Sequence, residues 1–165
     1  MRIGIATGCL ALAIAGCSVS PPPPPAPWDR PVEVPRRIPA DRTRLTAELK
    51  RQHARWHAEE PFRYQLKVTR LCFCDPGAPW ISQVEGRLVT RSSGGHLSDG
   101  RNVANPLRTV EALFSRAESA VGSEAEEVEI DFDVRFGYPK RILIDEWRGS
   151  ADDELELVAE LEVLP

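Results

Sequence analysis

The clearest pattern in the chain is the alternation from Glu127 to Phe136, where Val128, Ile130, Phe132, Val134 and Phe136 interleave with Glu127, Glu129, Asp131, Asp133 and Arg135. Period two puts one set on a core face and the other in water, so the segment reads as a half-buried strand. Gly137-Tyr138-Pro139 turns the chain and Arg141 to Trp147 returns with Ile142 and Ile144 on one side. After a turn at Asp152-Asp153, Leu155, Leu157, Ala159, Leu161 and Val163 mark a last alternating strand. Upstream, Phe62, Tyr64, Leu66 and Val68 alternate with Arg63, Gln65, Lys67 and Thr69 in a strand that runs on to Cys74 and stops at Asp75-Pro76-Gly77. Trp80 to Val84 and Arg87 to Thr90 read as a hairpin around Glu85-Gly86, the glycine supplying positive φ.

Two segments carry the longer helical period. Asp41 is a cap, Leu45, Leu49, His53 and Trp56 share one face, and Pro61 ends the run, which predicts a helix over 42–59. Val110, Leu113, Phe114, Ala117 and Val121 make a second apolar face with Gly122 as terminator. Between strands and helix, Ser92 to Asn105 is a long polar loop. The order α-β-β-β-α-β-β-β with short turns predicts an α+β domain: an antiparallel meander of about six strands with both helices on one face. This topology loosely resembles small periplasmic domains of the PepSY or β-lactamase-inhibitor type. That resemblance implies an inhibitor of an envelope hydrolase as one alternative function.

The first forty residues have another character. Arg2 followed by the small and apolar run Ile3 to Ile14 is too short to span a membrane, and Ile14-Ala15-Gly16-Cys17 resembles the lipobox of bacterial lipoproteins. The resemblance implies a signal peptide over 1–16, cleavage before Cys17, acylation of its thiol, and a lipid-anchored protein of the cell envelope. Ser18 in place of an aspartate implies the outer membrane, facing the periplasm, in a two-membrane cell. From 17 to 40 the chain carries a run of five prolines and further prolines at 27, 31, 35 and 39, so it reads as an extended tether. The folded part is then a single domain over 41–165.

Charge narrows the partners. The formal net charge is −4, with fourteen acids against four bases after residue 122. That distribution argues against nucleic acid and leaves the membrane, through lipid, and another envelope protein as partners, the latter expected to meet the sheet face or the long 92–105 loop of a non-catalytic interaction module. Neither a Gly-x-Ser-x-Gly elbow nor a phosphate loop occurs, so no enzyme is expected. The acids Glu127, Glu129, Asp131, Asp133, Glu154, Glu156, Glu160 and Glu162 read as a solvated sheet face, too spread for a calcium cage.

Cysteine chemistry is the one distinctive constellation. With Cys9 in the signal and Cys17 acylated, Cys72 and Cys74 remain, one residue apart. In an oxidising envelope they are expected to bridge, and a bridge at this spacing requires a kinked strand end. A local staple, a redox pair, a soft-metal site for Cu(I) or zinc, and two inert thiols all stay open. His53 and His57, four apart, would share a helix face and could hold a metal, but His53 lies on the stripe of Leu49 and Trp56, which favours partial burial against the sheet.

Arg63-Tyr64, Cys72-Phe73-Cys74, Thr109-Val110-Glu111 with Leu113-Phe114, and Gly137-Tyr138-Pro139 followed by Ile142, Ile144 and Asp145 together resemble a family of bacterial envelope proteins known only as a domain of unknown function. The likeness covers about residues 55 to 163. It implies no activity. It implies that Tyr64, Cys72, Cys74, Gly137, Tyr138, Pro139 and Asp145 belong to one shared design, and the turn itself suggests a tyrosine lying over the sheet edge.

Overall fold

The computed structural model describes residues 41–165 except 148, 149 and 151. The signal segment, Cys17 and the Pro-rich tether lie outside the described residues. Helix α1 spans Arg42–Glu59, and strands β1, β2 and β3 span Arg63–Cys72, Trp80–Glu85 and Leu88–Ser93. Helix α2 spans Val110–Val121, followed by β4 (Glu127–Phe132), β5 (Pro139–Asp145) and β6 (Glu154–Val163). Helix α1 begins as the sequence predicts, and α2 carries the predicted apolar face behind a cap, Thr109, that the pattern did not mark. The Asp41 carboxylate accepts from the Arg44 amide at 3.0 Å, and the Thr109 hydroxyl accepts from the Ala112 amide at 3.2 Å.

The six strands form one antiparallel sheet in the order β3-β2-β1-β6-β5-β4. This corrects the expectation of one continuous meander. Two three-stranded meanders are joined through β1 and β6, the first and last strands of the chain. Helix placement also differs from two helices laid side by side on the sheet: α2 rests on β4 and β5, while α1 packs on α2 and enters the core through Leu49 and Trp56. Leu66, Val68, Val84, Val110, Leu113, Phe114, Val128 and Ile142 are all at most 2 % exposed and fill the space between sheet and helices.

The strand ends depart from the alternation in the sequence for identifiable reasons. Phe62 is 69 % exposed and precedes β1, lying instead against Gly86. The β2–β3 turn is Gly86-Arg87 rather than Glu85-Gly86, with φ of +52° and +73°. A two-residue hairpin of this hand needs both central residues left-handed, so Glu85 joins the strand. Strand β4 stops at Phe132, because the Asp133 carboxylate accepts from the amides of Arg135 and Phe136 at 2.9 and 2.7 Å and closes a turn. Val134 therefore points to solvent, 83 % exposed. Trp147, expected in the returning strand, lies past its end at Asp145 and is exposed.

The 92–105 segment is not a free loop. Strand β3 takes its first residues, the rest is latched to the β1–β2 connection by Ala78 N–H to the His96 carbonyl (2.8 Å) and Gly95 N–H to the Ala78 carbonyl (3.1 Å), and the segment is closed on itself by Val103 N–H to the Gly95 carbonyl (2.8 Å). Asn105 is buried, donating to Ser82 Oγ at 3.2 Å and accepting from the Leu107 amide at 2.8 Å.

Gly137 shows how tightly the turn before β5 meets α1. At φ +77°, an added Cβ would lie 2.7 Å from Gln52 Oε1 and 3.0 Å from the Gln52 carbonyl oxygen. Gly100 has a similar φ of +81° with nothing within 4 Å. Gly100→Ala should therefore cost only the backbone term of about 1 kcal/mol, whereas Gly137→Ala should cost roughly 2 kcal/mol more from the clash with α1. Urea midpoints of the two variants check this; equal losses would mean that the turn does not rest on α1.

Candidate functional site

Tyr64, Gly137, Tyr138 and Pro139 converge on the inside of the fold. Trp56 of α1 is their centre: it meets Tyr64, Tyr138 and Phe136 edge-on at ring distances of 5.6, 6.3 and 6.5 Å. Tyr138 is 6 % exposed, so it lies in the core and not over the sheet edge as its turn suggested. Burial, and then the charges of Glu60 and Glu111, outweigh the lowering effect of a hydrogen bond with the Val110 backbone and push the Tyr64 hydroxyl up to about 12, so it stays protonated at neutral pH. Asp145 sits elsewhere, at the far end of β5 opposite Glu127 and Glu154 in register. These seven residues therefore split into an aromatic packing centre, a carboxylate at the far end of β5 and a cysteine pair at the other end of β1.

Eight residues of extended strand separate Tyr64 from Cys72, about 26 Å. At that far end β1 stops at Cys72, the chain bends at Phe73, and the two sulfurs lie at disulfide distance with Cα atoms 5.1 Å apart. The kinked strand end expected for such a bridge is present. A bridged pair offers no thiolate to Cu(I) or zinc, so in this state the staple and redox readings are those the geometry accommodates. Phe73, held within the small ring, is 77 % exposed, and Leu71 beside it is 46 % exposed. A shallow hollow beneath them is lined by Leu71, Cys72, Phe73, Glu154 and Glu156.

A second cluster forms where α1 ends and α2 begins. His53 Nε2 is 2.7 Å from Glu111 Oε2, and His57 Nδ1 is 3.6 Å from Glu111 Oε1 and 3.8 Å from Glu60 Oε2. The His53 ring stacks on Phe114 of α2 at 4.2 Å, so its partial burial is against the helix and not the sheet. Arg87 holds Glu60 with two bonds of 3.1 and 3.0 Å. Glu111, Glu60 and Arg87 were not singled out by sequence reasoning as partners of the histidines. The i, i+4 spacing marks the histidines, but no local signal tells which α2 residue faces them.

The outer sheet face is acidic but organised. Arg141 lies among Glu129, Asp131 and Glu156, and its guanidinium is held protonated chiefly by the hydrogen bond to Glu156. Lys67 pairs with Glu160 at 3.0 Å. Glu127 departs from the expected solvated face, being 4 % exposed.

Residues 48–161 match DUF6174, a family of unknown function, and the chain belongs to that family. No curated protein and no solved structure matches it.

Asp75, next to the cysteine ring, ties it to the latched segment. Its carboxylate accepts from Ser98 Oγ (2.6 Å), the Ser98 amide (2.8 Å) and the Gly77 amide (3.0 Å). The Ser98 bonds, then the Gly77 bond, hold this carboxyl below the usual carboxylate range. A depressed folded value means that the latch is fully present above the unfolded value of 3.8 and is lost as pH falls through the lower folded one. The Ser98 amide resonance should thus titrate with a midpoint below 3.8 and lose this transition in Asp75→Asn. A midpoint at or above that value would show that the bonds do not form in solution.

Proposed function

We propose that the chain is a lipid-anchored, non-catalytic binding module of the bacterial cell envelope, at the outer membrane where two membranes exist, which engages a partner protein through the Cys72-Phe73-Cys74 tip. The observation that carries this reading is a large aromatic side chain, 77 % exposed, on a ring closed by its flanking cysteines. Exposed aromatics are the usual anchors of protein interfaces, and a residue ordered in advance loses less entropy on binding. Leu71 extends the apolar contact, while Glu154 and Glu156 border it. The complementary partner surface is an apolar hollow with a basic rim. The bridge also fits an oxidising compartment, in keeping with a signal segment and an acylated Cys17. Among the described residues no helix is long and apolar enough to cross a membrane.

A photo-reactive amino acid placed at position 73 of the full chain in intact cells should give a discrete adduct that position 134, equally exposed, does not give. The adduct should vanish when Cys72 and Cys74 are both changed to serine. No adduct at 73, or the same adducts at both positions, would overturn the tip as the contact. In parallel, Cys17→Ala should abolish fatty-acid labelling and leave the signal segment uncleaved, read as a larger intact mass; unchanged labelling would remove the lipid anchor from this reading.

A further inference from the structure

Two imidazoles one helical turn apart and a carboxylate from the facing helix is a donor set with its own chemistry. We propose that His53, His57 and Glu111 form a binding site for a divalent transition ion of the zinc class.

Three observations carry this. First, His53 Nε2, His57 Nδ1 and a Glu111 carboxylate oxygen all lie within 4.8 Å of one another. Ligands about 2.0–2.2 Å from a tetrahedral ion are roughly 3.4 Å apart, so the 2.7 Å His53–Glu111 contact must open and the widest pair close by on the order of 1 Å. Side-chain rotation at the surface supplies that much. Second, Glu111 Oε1 is shut off from solvent and accepts no hydrogen bond, with His57 Nδ1 at 3.6 Å as its facing group. A carboxylate oxygen shielded from water and left without a donor is costly unless a cation satisfies it. Third, the donors are placed in advance: His53 by stacking on Phe114, and Glu111 by its position in the first turn of α2, facing both histidines.

The donor chemistry selects the ion. Imidazole suits zinc, copper and nickel, whereas calcium and magnesium require cages of oxygen. Glu60 is the nearest further carboxylate, and Arg87 engages both its oxygens, so the remaining coordination positions face solvent. The two histidines are partly exposed, with side-chain exposures of 28 and 43 %, so an ion reaches the site without unfolding. The site is independent of the cysteine tip, lying at the opposite end of β1.

The alternative is a polar clamp between two helices, and the test separates them. The full chain, purified in detergent with its disulfide intact, is titrated with Zn(II) and with Co(II). One equivalent should bind with micromolar or tighter affinity, and bound Co(II) should show visible bands without a sulfur charge-transfer band. His57→Ala and Glu111→Gln should each weaken binding by about tenfold or more, while Cys72→Ser with Cys74→Ser should leave it unchanged. Saturating Zn(II) should raise the Tm of the wild type and of the cysteine variant only. Glu111→Gln keeps the hydrogen bond to His53, so its fold survives and the metal readout isolates coordination from clamping; His57→Ala, exposed, serves as the second probe. Absence of binding, binding indifferent to both variants, or binding lost with the cysteines would each overturn the proposal.

Discussion

The pairing of β1 with β6 is the constraint on which everything else in this domain rests. Nine residues of each strand align, from Tyr64 opposite Val163 to Cys72 opposite Leu155, and without that ladder the molecule would be two separate three-stranded meanders. Three strands with one apolar face are marginal alone. Joined, they present a six-stranded surface wide enough to bury Leu66, Val68, Leu157 and Ala159 in its middle. The register has functional weight because side-chain period is two: a slip by one residue would send Tyr64 to solvent and turn the Cys72 end inside out. It also sets Leu71 and Cys72 opposite Glu156 and Leu155, which creates the acidic border of the tip.

The helices are fastened to one another at both ends. At one end the Arg42 guanidinium donates to the carbonyls of Val121 and Ala125, satisfying groups that the end of α2 leaves open. At the other end His53 and His57 meet Glu111 in the first turn of α2. Each contact also suits the helix dipole it faces, a cation at a C-terminus and an anion at an N-terminus. This antiparallel clasp lets α1 reach the core with only two fully buried side chains, Leu49 and Trp56, and leaves its remaining polar face available.

Local periodicity carried the elements but not their arrangement. The bounds of α1 and the end of α2 follow from Asp41, Pro61 and Gly122, because caps and breakers act within four residues of themselves. The alternation through Val134 and Phe136 misled, since the Asp133 side chain competes for the backbone amides and bends the chain where hydrophobicity alone would continue it. Arg87 with positive φ was illegible for a related reason: its backbone is set by the twist of the hairpin and its side chain by Glu60, a residue 27 positions away. The cysteine pair and its kink could be read because both ends of the constraint are neighbours. Glu111 could not be matched to the histidines, because which face of α2 meets α1 depends on the sheet beneath them.

The small size of the cysteine ring limits what it can do. Loop-closure entropy grows with the length closed, so a bridge across one intervening residue restrains the unfolded chain by only about 1.5 kcal/mol, half of what a 15-residue loop provides. Global stability already has a source in the β1–β6 ladder and the core beneath it. What the ring adds is local: it bends the end of a central strand out of the sheet and holds Phe73 outward where an open chain would let the ring fold back on Leu71. A side chain of that size kept in water by a covalent constraint opposes hydrophobic burial. The constraint is useful when the exposed ring is covered by another surface, and that is the physical ground for placing the contact at the tip and not on the latched 92–105 segment.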